Sequence, residues 1–428
     1  MKNFFQTSFL FSLLRNSIVQ LLWWIVFFPG FYSGDSFGAV LIAKTGELTN
    51  SGTASWALYV RIFSLLGNAF PLLTLISGLV LVYAVTRFAY AIFGDRVAAT
   101  SSFVLTLTPI VAGMGITLWH DIPFTSGLLI LTAFFVHMQK TPEHIGTYIG
   151  TLLIPGAILI SFKPNGLPTL LVFTFFMLFS KISRPGLKYA FMALLLTATV
   201  TLIGSNVILN MNPINNNFAQ EWMRGDISCY ANTPQGQGFV EKAIPGIGAT
   251  EKWASKSGCA WLNSANLTSE ERIESLNYVP AAWMSLAFRE PVFLFQTHLE
   301  RHAYLVPFPV FGIPTEPFLH STIEFKDQGI EWAFPSIANT ARLPMRLWNA
   351  GRGLTGWAGL WLLILVGLGV AAKRKELLPA ILMSIALMGI LFVVAPIPDG
   401  RYALFVLIAG QMALIGKLFE RVYLIKKR

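Results

Sequence analysis

Charge is what this sequence has least of. Asp, Glu, Lys and Arg make up only 12% of its 428 residues, while 54% are hydrophobic, with 35 phenylalanines and 12 tryptophans. A soluble domain carries about 25% charged residues, so the shortage excludes an ordinary water-soluble protein and points to a chain that crosses a bilayer many times. Cysteine is almost absent too: Cys229 and Cys259 are the only two, too few for a disulfide-dense scaffold. Basic runs interleaved with aromatics are missing, so the net charge of +10 does not indicate a nucleic-acid partner. After the first apolar stretch, which begins in MKNFFQTSFLFSLLR, no small-x-small cleavage site follows, and that segment is expected to be a retained anchor. Few charges fall near the middle of any apolar run and no internal repeat is evident, both of which argue against an ion-coupled carrier.

Long apolar runs are what the sequence does have. With about 20 residues needed per helical span, roughly ten candidates emerge, at 10–29, 70–92, 97–117, 122–138, 145–162, 167–180, 189–209, 355–371, 377–395 and 402–419. The fourth to sixth are short and flanked by Pro or Gly, so irregular geometry is expected there. The stretch ASWALYVRIFSLLG at 54–67 holds one charge, Arg61, and reads as a helix lying at the interface rather than an extension of the second span. An all-α polytopic membrane protein follows, with spans one to seven in residues 1–209, a polar module at 210–354 and the last three spans in 355–428.

Lys and Arg set the orientation. Arg87 and Arg96, Lys140, Lys181 to Lys188, Lys373 to Lys375 and the final basic residues all fall on one side of a ten-span chain. The positive-inside rule makes that side, with both termini, cytoplasmic. The opposite side then receives Asp35, His120, Asp121, Lys163, Asp399 and Arg401, drawn from four parts of the chain. Ionisable residues at a span boundary are either interface markers or a site. Asp35 and Asp121 with a Lys and an Arg suit a general base facing an anionic substrate.

Three stretches carry a resemblance. FFPGFYSGDSFG, then WALYVRIFSLLG, then LWHDIPF entering the fourth span resemble the GT-C superfamily of integral-membrane glycosyltransferases, in the branch that includes protein O-mannosyltransferases and the aminoarabinose transferase of lipid A. The resemblance implies an enzyme that moves a sugar from a polyprenyl-phosphate donor to a glycan, lipid or protein acceptor on the exocytoplasmic side of a plasma membrane, bacterial by this branch. It also implies Asp35 as catalytic base. Asp121 is the candidate second carboxylate, with N-capping of the fourth span as its structural alternative. Lys163, Arg401 and His120 are the expected phosphate partners. The sequence departs from the family where Asp35 is followed by Ser36 instead of a second acid, and where SGTASWALY stands in place of a His-Pro-Pro stretch. That weakens a metal in this loop; no cofactor is assigned and a divalent cation stays open. The alternatives are an envelope glycan polymerase, ligase or flippase, or a non-catalytic scaffold of the same fold.

In the module, Cys229 and Cys259 are expected to pair on an oxidising face, with two unpaired thiols as the alternative. His298 and His302 have i, i+4 spacing but lack the HExxH order, so an ordinary helix starting after Pro291 is expected rather than a zinc site.

Overall fold

The structure is a computed structural model and describes residues 8–45, 53–66, 69–179, 184–209, 218–236, 238–245, 271, 274–275, 277–306, 332–395 and 400–425. Among the described residues the regular structure is helical, apart from an isolated parallel β-bridge between Phe31 and Thr117. Among the described residues, seven helical stretches are long and apolar enough to cross a membrane by length and composition: Phe9–Val26, Phe70–Ile92, Asp121–Lys140, Pro142–Ile160, Pro185–Gly204, Lys375–Val394 and Arg401–Ile425.

The N-terminal part comprises α1 (Phe9–Val26), α2 (Gly34–Thr45), α3 (Ala54–Leu65), α4 (Phe70–Ile92), α5 (Asp95–Leu107), α6 (Ala112–Gly115) and α7 (Asp121–Lys140). It continues through α8 (Ile145–Tyr148), a π turn at Ile149–Leu153, α9 (Ile154–Ile160), α10 (Gly166–Phe179) and α11 (Arg184–Leu209). At the centre stands α7, packed against α4 and α9, with 94% of its apolar window buried. A helix apolar all round belongs in such a place. Glycine lets α7 and α9 approach closely: a Cβ on Gly127 would lie 2.8 Å from the Gly156 carbonyl oxygen, the small-residue contact typical of helices in lipid.

α1 is inverted relative to a soluble helix. Its exposed residues are Leu10, Leu14, Ile18, Leu21, Leu22 and Ile25, and its buried ones are Ser12, Arg15, Asn16 and Gln20. Asn16 Nδ2 donates to Thr86 Oγ1 at 3.0 Å and Gln20 Nε2 to the Ala112 carbonyl at 3.1 Å. Polar groups turned inward and leucines outward fit a helix whose surroundings are hydrocarbon.

Three expected spans differ in form, among them the sixth, at 167–180, where α10 is a regular α-helix with Pro168 in its first turn; the fifth keeps its expected irregularity. The one at 97–117 is not a single helix: α5 ends at Leu107, Thr108 is extended, and the chain turns before α6. Pro109 explains the break, because proline forces the preceding residue out of helical geometry. The one at 122–138 is not irregular: α7 is continuous, since Pro123 falls in its first turn, where a missing N–H costs nothing. Irregularity does occur at 145–162, where the π turn precedes Pro155 and accommodates a residue that cannot donate to the preceding turn. α3 is separate from α4, as expected of an interfacial helix.

The module contributes α12 (Phe218–Ala231), α13 (Phe239–Ala243), α14 (Val279–Arg289) and α15 (Pro291–Arg301), around a small core of Ile227, Val240, Ile244, Val279 and Leu286. Short helices α16 (Pro335–Ala341), α17 (Leu343–Ala350) and α18 (Arg352–Thr355) lead to α19 (Ala358–Ala371), α20 (Leu378–Val394) and α21 (Leu404–Ile425). Cys229 is buried; Cys259, its expected partner, lies outside the described residues.

Candidate active site

The segment between α1 and α2 is lashed to the one before α7. The Phe31 N–H donates to the Ile116 carbonyl and the Leu118 N–H to the Phe31 carbonyl, each at 2.9 Å. Gly30 makes the approach feasible: its φ is +109°, and a Cβ there would sit 2.8 Å from both Ile116 O and Thr74 Oγ1. Ser36 Oγ adds a bond to the Leu118 carbonyl at 2.8 Å, and Trp119 Nε1 donates to Ser33 Oγ at 2.5 Å. Asp35 is in the first turn of α2, within the connection between the first two expected spans. A carboxylate there is favoured by the unsatisfied N–H groups of the helix start.

This lashing gathers the sequence-derived candidates. Arg401, on the 3₁₀ turn Gly400–Ala403, places Nη2 2.5 Å from Asp35 Oδ2. Asp121, the first residue of α7, accepts a short hydrogen bond from Lys163 Nζ, which the turn after α9 supplies. His120 Nε2 stands 3.8 Å from Asp121 Oδ2. The two carboxylates differ in access: the Asp35 side chain is 41% exposed, that of Asp121 only 1%, and its partner Lys163 3%. Asp399 lies outside the described residues.

Aromatic rings wall the charges. Arg401 lies 4.6 Å from the Trp119 ring centroid, and Lys163 Nζ lies 4.2 Å from that of Tyr402, distances at which a cation is held by a ring face. Trp56 of α3 faces the His120 ring at 6.2 Å, Tyr59 stacks on Phe162 at 5.0 Å, and Thr53 Oγ1 donates to the Ser161 carbonyl at 2.9 Å. α3 thus forms one side of the site. Burial pushes the His120 imidazole down to about 4; Asp121 and Asp35 pull it up, Lys163 and Arg401 down. At neutral pH it is an uncharged hydrogen-bonding group. Trp119, Tyr402 and Trp56 were not singled out from sequence; the adjacency of aromatic and charged residues in LWHD and GRY was the available signal.

His298 and His302 lie on and just after the helix expected from Pro291, and both are engaged in hydrogen bonds. His298 Nε2 meets Asp226 Oδ2 at 2.9 Å and its Nδ1 meets the Phe392 carbonyl at 2.7 Å, while His302 Nε2 meets the Ala395 carbonyl at 2.9 Å. Among the described residues no group of three or more His, Cys, Asp and Glu could hold a metal ion.

No protein-family profile matches this chain, and no curated protein matches it. Among solved structures it is similar to ArnT from Cupriavidus metallidurans, in a crystal structure with undecaprenyl phosphate bound: 13% identity, 94% of this chain and 76% of that one covered, TM-score 0.39.

Proposed function

We propose that this chain is a GT-C type membrane glycosyltransferase that takes a sugar from a polyprenyl-phosphate donor and passes it to an acceptor hydroxyl on the exocytoplasmic side. The observation that carries the reading is the unequal access of the two carboxylates: Asp35 is open and beside Arg401, whereas Asp121 is sealed against Lys163. Asp35 is the base. It removes the proton from the acceptor hydroxyl as that oxygen bonds to C1 of the sugar and the C1–O bond to phosphate breaks, the electron pair leaving with the polyprenyl phosphate. Arg401 turns from Asp35 to the donor phosphate, a bidentate match for its guanidinium. That exchange would free the carboxylate for proton transfer when the donor arrives.

Lys163 and Asp121 then act as a buried pair that holds the floor of the site, with Lys163 contributing positive field to the phosphate rather than direct contact. His120, uncharged, donates to the phosphate or to the sugar. The motifs FYSGDSFG and LWHDIPF, which carry the resemblance, hold three of these residues. The acceptor is left at the level of a hydroxyl on a glycan, lipid or protein.

The test is Asp35→Asn in proteoliposomes supplied with labelled polyprenyl-phosphate sugar. Transfer should fall by about 10²- to 10⁴-fold, the usual worth of a general base, while the melting temperature and donor binding hold. Full transfer by the variant removes the assignment, and unimpaired lipid movement without any transfer in the parent chain favours a flippase.

A further inference from the structure

The module carries an apolar strip and a cationic pocket that the transfer reading leaves unused. On α14 and α15 the exposed large residues are Met284 at 48%, Phe288 at 81%, Val292 at 67% and Phe295 at 57%. At 100° per residue Met284 and Phe288 share the face of α14 opposite its buried Val279, Ala282 and Leu286. On α15, Val292 and Phe295 lie on one side, Leu294, Thr297, His298 and Arg301 are buried, and Gln296 and Glu300 occupy a third, polar side. A helix with both a buried face and an exposed apolar one meets two apolar surroundings, not one.

Position says which the second is. α15 is fixed to the end of α20, a membrane-spanning candidate, by His298 on the Phe392 carbonyl and His302 on the Ala395 carbonyl. Phe295 packs on Phe392 at 6.0 Å between ring centroids. The apolar side of α15 therefore continues the lipid-facing surface of α20, where Val393 is 45% exposed. Moving from His302 to His298 follows α20 from Ala395 back to Phe392, so the elbow between α14 and α15 leads towards the bilayer rather than away from it.

Beside the strip, on the flank of α14, a pocket of about 570 Å³ is lined by Tyr230, Lys242, Ala281, Ser285, Arg289 and Glu290, among others. Its volume suits a small polar group. Lys242 and Arg289 are exposed at its mouth, and Glu290 accepts a hydrogen bond from Tyr230 at 3.4 Å. Two cations beside a strip that lies in lipid offer a phosphate site at headgroup depth.

We infer that the elbow of α14 and α15 binds an anionic phospholipid of the leaflet it faces, its acyl chains along Phe288 and Val292 and its phosphate in the pocket with Lys242 and Arg289. This inference stands whether or not the chain is a transferase. The experiment compares melting of the purified full chain in detergent on adding short-chain phosphatidylglycerol, phosphatidylcholine or inorganic phosphate, for the parent and for Lys242→Gln/Arg289→Gln. Phosphatidylglycerol should raise the parent's melting temperature by about 2 °C or more near saturation, and that gain over phosphatidylcholine should vanish in the variant. An equal gain in the variant overturns the site, and an equal gain with inorganic phosphate overturns the lipid. In liposomes, the emission that a Phe288→Trp variant adds over the parent, which already holds 12 tryptophans, should be quenched by bromines placed on the upper acyl chain. Unquenched fluorescence would mean that the strip faces protein or water, and the inference fails.

Discussion

At the scale of single residues, the site depends on which charges are satisfied by protein and which remain accessible. Removing one partner of the buried Asp121–Lys163 pair strands the other, at a cost of about 3–5 kcal/mol. Lys163→Met and Asp121→Leu should each lower the detergent melting temperature strongly, and the double variant should lose less than the sum of the two, a coupling that thermal unfolding reads directly. Histidine gives the pH dependence. Burial holds His120 down to about 4 and His302 down to about 3, against 6.5 in an open chain. Between those values the unfolded chain binds more protons than the folded one, so stability present above about pH 6.5 is lost as pH falls towards 4 and 3. His120→Gln should flatten that acid-side decline in melting temperature, and an unchanged slope would mean that His120 is protonated in the fold. The candidate residues could be picked out because an ion in so apolar a chain stands out. Their pairing was not: sequence offered Lys163 as a phosphate cation, while the fold sets it under Asp121, a fact that depends on how the turn after α9 meets the start of α7.

At the scale of elements, Gly30 is the point on which the site turns. Its left-handed backbone and the absence of a Cβ allow the α1–α2 connection to lie against the segment before α7. Strain at such a position costs on the order of 1–3 kcal/mol, and relieving it would shift Asp35 from Arg401. Gly30→Ala should therefore reduce both melting temperature and transfer, unlike Asp35→Asn, which spares stability; a variant with parental activity would show that the lashing is dispensable. Apolar runs predicted the helices well because hydrocarbon demands them. The sequence reading erred where proline acted locally: Pro109 broke an expected span, while Pro123 left one intact by lying in its first turn. The module's Asp226 network escaped notice altogether, since its members come from three helices that only packing brings together. Burial alone would raise the Asp226 carboxyl, yet His298 and Arg301 hold it below its ordinary value.

At the scale of the whole molecule, a bundle with apolar residues on its outside brings together charges from α2, the start of α7, the turn after α9 and the turn before α21. Such convergence is expensive in an apolar chain, and the charges offset it by pairing, Asp35 with Arg401 and Asp121 with Lys163. In the proposed reaction Arg401 and Asp35 separate around a lipid-linked phosphate. The most direct measurement is a cryo-electron microscopy structure of the chain with a non-hydrolysable polyprenyl-phosphate sugar analogue. The phosphate should lie within hydrogen-bonding distance of Arg401, with the guanidinium withdrawn from Asp35 and the Asp35 carboxylate open to water beside the sugar's C1. A phosphate bound elsewhere, with the Asp35–Arg401 pair still closed, would contradict the proposed reaction.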